Sequence, residues 1–132
     1  ADFMGSANIF EGKVISSKGG KLTVSTDVGE VFTSNGKSIT EGEKIWLGLR
    51  PEKIYLSKAK PKNIGPNQIK GIVEEIGYLG ETSIYKIRLK NGQIIDVSAP
   101  NQSRPMSRVR EITWEDMVYL NWEPESVMLL TS

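Results

Sequence analysis

The chain repeats one pattern. "EKIWLGLRPEKIYLSK" (Glu43–Lys58) and "DMVYLNWEPESVMLLTS" (Asp116–Ser132) align without a gap once Ile45 is laid on Val118. Trp46 then falls on Tyr119, Leu47 on Leu120, Pro51 on Pro124, Glu52 on Glu125, Ile54 on Val127 and Leu56 on Leu129. In each copy an apolar run meets Pro-Glu and a second short run follows. Proline has a fixed φ and no N–H, so it sits where strand pairing is interrupted. The echo therefore predicts two similar β-units, each ending in a strand that turns at Pro-Glu and runs back as its last strand. A duplicated functional site is the competing reading. Shared packing explains the match more simply, because repeated units bury the same positions.

The remaining punctuation agrees with β-structure. "FEGKVISS" (Phe10–Ser17) and "KLTVST" (Lys21–Thr26) flank Gly19-Gly20, a pair suited to the positive φ of a tight hairpin. "EVFTS" (Glu30–Ser34) follows, and "KIWLGLR" and "KIYLS" then flank Pro51-Glu52. A second series starts at "IKGIVEEIGYLG" (Ile69–Gly80). In "SIYKIRL" (Ser83–Leu89), Tyr85, Ile87 and Leu89 alternate with Lys86 and Arg88, the period of a half-buried strand. Asn91-Gly92 then turns the chain into "QIIDVSA" (Gln93–Ala99). The expected fold is all-β: about ten short antiparallel strands in two series, forming OB-like small barrels that close most sheet edges. Residues 10–58 make the first unit and residues 69–132 the second. Residues 59–68, with two prolines and a glycine, make the linker. Only the opening "ADFMGSANI" and part of the polar loop at 100–116 suit a helix.

Several function classes fall away on composition. Histidine and cysteine are absent, which removes Ser-His-Asp and Cys-His nucleophiles, His-containing metal sites and disulfides. The carboxylate pairs Glu74-Glu75, Glu115-Asp116 and Glu123/Glu125 read as solvated charges, since strand neighbours face opposite ways. There is no G-x-x-x-x-G-K-[ST] phosphate cradle; "GYLGE" (Gly77–Glu81) lacks the lysine and hydroxyl. Net charge is +1, split as +3 before Pro66 and −2 after it, far from the basic stripe of a nucleic-acid binder. "SKAKPK" and "SRPMSRVR", the basic stretches, contain no aromatic platform. "NQS" (Asn101–Ser103) matches a glycosylation sequon by three residues only. No apolar run approaches the ~18–20 residues that span a bilayer, and no signal peptide is recognisable. The expectation is a non-enzymatic domain with no cofactor or metal of its own, no nucleic-acid partner and no direct membrane insertion.

Four segments carry a family resemblance: "FMGSANIFEGKV" (Phe3–Val14), "LGLRPEKIYL" (Leu47–Leu56), "GIVEEIGYLGETSIYKIRLKNGQ" (Gly71–Gln93) and "VYLNWEPESVMLL" (Val118–Leu130). In this order and spacing they resemble the C-terminal TOBE-type region of ATP-binding subunits of bacterial ABC importers. "WEPES" is most similar to the polyamine branch, putrescine or spermidine. The resemblance implies a parent with an N-terminal nucleotide-binding domain that uses ATP and Mg. It implies a homodimer of that subunit working against membrane permeases, peripheral to the cytoplasmic face. Ala1, with no initiator Met, agrees with a piece of such a protein. The domain would then stabilise the dimer or regulate it. The equivalent domain of a sugar, iron or oxyanion importer is the alternative, as is a free-standing OB-fold for a small ligand or single-stranded nucleic acid.

Contacts to a ligand or partner are sought in two places. A diamine needs carboxylates for its ends and aromatic walls for its methylenes, and Glu52, Glu125, Trp122 and Tyr78 are of those types. The echo also breaks at two positions, where Arg50 stands against Glu123 and Leu49 against Trp122. A contact peculiar to one half is expected where the repeat fails.

Overall fold

Alternating apolar residues, cut by glycine-rich turns, build ten strands in the computed structural model, which describes residues 7–62, 65–100 and 112–130. The first series gives β1 (Asn8–Lys18), β2 (Lys21–Thr26), β3 (Gly29–Thr33), β4 (Lys44–Leu49) and β5 (Tyr55–Ser57). The second gives β6 (Asn67–Leu79), β7 (Thr82–Arg88), β8 (Ile94–Pro100), β9 (Met117–Trp122) and β10 (Met128–Leu130). Gly19 and Gly20 take φ of 57° and 84° in the β1–β2 turn, as that hairpin requires. Both Pro-Glu corners are single 3-10 turns, Pro51–Lys53 and Pro124–Ser126. Of the helical expectation, residues 1–6 and 101–111 lie outside the described residues, while Asn8 and Ile9 are strand. The expected linker also ends earlier, because Asn67 and Gln68 already belong to β6.

Two antiparallel five-stranded sheets result, with strand orders β10-β4-β1-β2-β3 and β5-β9-β6-β7-β8. The order corrects one expectation. The strand after each Pro-Glu corner does not run back into its own sheet. β5 pairs with β9, Leu56 opposite Leu120, and β10 pairs with β4, Leu129 opposite Leu47. Each half thus completes the other's sheet. The physical reason is that a one-turn 3-10 corner redirects the chain out of the sheet plane, and period-two alternation specifies a face, not a partner strand.

The echo itself is a packing echo. Ile45 and Val118, Leu47 and Leu120, Leu49 and Trp122, and Ile54 and Val127 are all buried in one apolar core. Ile87 on β7 and Leu89 just after it are buried in that core, while Lys86 and Arg88 pair outward with Asp96 and Glu74.

A second repeat appears in the structure. β1 and β6 each carry a bulge, between Val14 and Ser16 and between Val73 and Glu75, and each has a glycine two residues before the bulged valine. A Cβ on Gly12 would lie 2.5 Å from Val24 Cγ1 and 2.8 Å from the Ser25 carbonyl oxygen. On Gly71 it would lie 2.3 Å from Ile87 Cγ2 and 3.1 Å from the Arg88 carbonyl oxygen. Gly12→Ala is therefore expected to destabilise the fold by about 2–3 kcal/mol, the upper part of the overpacking range, because a backbone oxygen yields less than a side chain. Gly71→Ala should cost less, since its nearest backbone oxygen stands at 3.1 Å rather than 2.8 Å and the closer obstacle is a side chain that can shift. Urea unfolding that ranked Gly71→Ala as the more damaging would contradict this account.

Candidate functional site

The two sheets meet along two seams, and an asparagine side chain spans each. Asn8 opens β1 opposite Leu49, and Asn67 opens β6 opposite Trp122. The Asn8 carboxamide donates from Nδ2 to the Asp96 carbonyl at 2.8 Å and accepts the Asp96 N–H at 2.8 Å. Asn67 does the same with Phe32: Nδ2 donates to the carbonyl at 2.8 Å and Oδ1 accepts the N–H at 2.8 Å. Asp96 lies on β8 and Phe32 on β3, the outer strands of the opposite sheets. A carboxamide presents one donor face and one acceptor face, as a peptide does. Each asparagine thereby satisfies an edge residue whose outward N–H and C=O would otherwise invite another strand. A 3-10 turn covers each seam, Pro51–Lys53 beside β8 and Pro124–Ser126 beside β3.

The six residues singled out in the sequence do not gather at one place. Arg50 and Glu123 occupy matching positions before the two 3-10 turns; both are extended, and their carbonyls accept the N–H of Lys53 and Ser126 at 3.0 Å. Glu52 and Glu125 are exposed within those turns, one at each seam. Trp122, only 3% exposed, fills the core beside Asn67. Tyr78 is exposed near the far end of β6, eleven residues from Asn67. At ~3.3 Å per residue that is roughly 35 Å from the Trp122 end of the strand. Tyr78 and Trp122 therefore do not form two walls of one pocket.

Asn8 and Asn67 were missed by the sequence reading. The signal was present: "NIFEGKV" (Asn8–Val14) and "NQIKGIV" (Asn67–Val73) share Asn, Gly and Val without a gap. That match escapes notice because the residues between are chemically unlike, whereas the Pro-Glu echo preserves apolar character throughout.

A surface groove of about 340 Å³ lies where the β2–β3 and β7–β8 turns approach β1. Ile9, Trp46 and Val28 line it together with Glu11, Asp27 and Gln93. The Lys44 ammonium sits 5.6 Å from the Trp46 ring centroid and pairs with Glu11, so the protein's own cation already uses the indole face. A second open groove, between Glu75, Ile76, Ile84 and the half-exposed Trp114, flanks the β6–β7 hairpin. Among the described residues no acidic group is arranged to hold a metal ion, and no helix is long and apolar enough to cross a membrane.

Comparison with known proteins places this architecture. A family model described as the TOBE domain matches residues 47–130. The putrescine transport ATP-binding protein PotG of Escherichia coli (strain K12) is 36% identical over 99% of this chain and 34% of its own length. The spermidine/putrescine import ATP-binding protein PotA of Chromobacterium violaceum is 32% identical over 86% of this chain and 34% of its own. The chain thus spans about a third of the length of the curated relatives it matches. Among solved structures, the cytoplasmic molybdate-binding protein ModG, with molybdate bound, superposes with a TM-score of 0.78 over 95% of this chain and 96% of its own. At 12% identity that likeness is one of fold.

Proposed function

Because the chain belongs to the TOBE domain family, we propose that it is the accessory domain of an ABC-importer ATP-binding subunit and works as a persistent clamp between two such subunits. The transported substrate in this reading is putrescine or a related polyamine, the cargo printed in the names of the relatives above. The chain carries no phosphate loop. ATP and Mg are therefore assigned to a nucleotide-binding domain elsewhere in the parent, where they supply the hydrolysis that drives transport. The parent would act at the cytoplasmic face against membrane permeases.

The observation that carries the clamp reading is the exchange of β5 and β10. A domain that holds subunits together while their nucleotide sites open must transmit load without its two halves separating. Exchanged strands and two asparagine bridges tie the halves so that neither sheet can leave with its own half alone. A second contact of this kind keeps its partners at high effective concentration after the first contact opens. Arg50, Glu123 and the exposed Glu52 and Glu125, on the outside of the seams, are the residues we assign to partner contact. Regulation would need a ligand that distinguishes open from closed subunits, since equal affinity for both shifts nothing.

Sedimentation of the full-length parent, intact and with this domain deleted, tests the reading. The deletion is expected to weaken subunit association in the absence of nucleotide and to uncouple ATPase activity from transport. Unchanged association and unchanged coupled ATPase would end the clamp proposal.

A further inference from the structure

The two seams repeat in backbone but differ in chemistry. Four polar side-chain atoms in the described residues are buried without a hydrogen-bond partner: Thr33 Oγ1, Ser34 Oγ, Gln68 Nε2 and Trp122 Nε1. All four belong to residues that stand in or directly beside one seam. Thr33 and Ser34 follow Phe32, Gln68 follows Asn67, and Trp122 stands opposite Asn67. The strand registers place Val97, Ser98, Ile9 and Leu49 at the matching positions of the other seam. Three of the four counterparts are apolar and need no partner.

The Asn8 seam also has more bonds across it. Besides the pair with Asp96, Gln93 Nε2 donates to the Ile9 carbonyl at 2.8 Å, joining the β7–β8 turn to β1. Asn8 is further anchored by donating to the Leu49 carbonyl at 3.1 Å. Among the described residues, the side-chain bonds across the other seam are the two between Asn67 and Phe32.

From this inequality we infer that the domain has a built-in order of opening. The Asn67–Phe32 seam parts first, as a hinge, while the Asn8–Asp96 seam stays closed. A buried polar group without a protein partner weakens the closed state if it stays dry. If hydrated, it brings immobilised water into the seam at an entropic cost and replaces direct packing. Both routes lower the free energy of local opening on that side only. The parting exposes the outward N–H and C=O of Phe32 on β3 and frees the 3-10 turn at Pro124–Ser126. The corresponding groups of β8 and the Pro51–Lys53 turn remain covered. The inference stands whether or not the clamp reading does, because it concerns the folded chain alone.

Two backbone amides report the two seams separately. Phe32 N–H and Asp96 N–H each leave an outer strand and end on an asparagine Oδ1. Hydrogen exchange of the 132-residue chain, followed by NMR and expressed as protection factors, should show Asp96 at least about tenfold more protected than Phe32. Equal protection, or greater protection of Phe32, overturns the proposal. Thr33→Val and Gln68→Met remove unpartnered groups while nearly preserving shape. Each should raise the Phe32 protection factor about threefold or more and leave Asp96 unchanged. If both amides move together, or Phe32 does not move, the unpartnered groups do not set the order of opening and the inference fails.

Discussion

Asn67→Ala is expected to lower the stability of the chain by about 2–4 kcal/mol, because it removes two hydrogen bonds and strands two backbone groups of Phe32. For a chain of this size that is a fall in Tm of about 10 °C. Asn67 is 1% exposed, so water does not freely replace what the side chain supplied. Asn67→Asp sharpens the test. It keeps an acceptor for the Phe32 N–H but loses the donor, and it sets a carboxylate against the Phe32 carbonyl at a buried site. It should therefore be no milder than alanine, although its shape is nearly unchanged. Asn8→Ala should cost at least as much, since Asn8 makes three such bonds where Asn67 makes two. Thermal and urea unfolding of the three variants checks the ranking. A loss below about 0.5 kcal/mol for Asn67→Ala, the range of an ordinary surface change, would show that the bridges are incidental.

The sequence was informative about faces and uninformative about partners, and the reason is physical. Alternation on β4 and β9 tells which residues point inward, and Ile45, Leu47, Val118 and Leu120 do so. The same alternation could have placed Trp122 in the core, since it follows Val118 and Leu120 at a spacing of two. Its chemical type drew it into a diamine site instead, and the structure places it behind Asn67. Nothing in the composition of "KIYLS" or "VMLL" tells which sheet those strands join. Strand pairing is a backbone interaction, and any short apolar run can complete any open edge. The asparagine bridges were hidden for a related reason. A polar residue at the start of a strand reads as turn chemistry unless its partner, here 35 or 88 residues away, is known. At the Leu49/Trp122 break in the echo, the Trp122 Nε1 donor is buried without a partner beside Asn67, where Leu49 has no polar group to satisfy.

Strand exchange makes a prediction that a pair of self-contained units would not share. Ending the chain after Val127 removes β10, whose Met128, Leu129 and Leu130 face Gly48, Leu47 and Trp46 of β4. Each lost side chain is partly buried, and at about 1–2 kcal/mol apiece, with the ladder bonds added, the loss is about 3–6 kcal/mol. Against a total stability of about 5–15 kcal/mol for a domain, that brings the fold close to its limit. The location of the damage is more diagnostic than its size. β4 becomes the outer strand of its sheet, so the amides that lose protection lie about 80 residues before the cut. β9, only a few residues from the new terminus, keeps β5 and β6 on its two sides and should keep its protection. Leu129→Ala is the milder companion: a loss of about 1–3 kcal/mol with the same pattern, strongest around Leu47. If either change loosened β9 and left β4 intact, the last strand would belong to its own half, and the clamp proposal would have lost the feature that carries it.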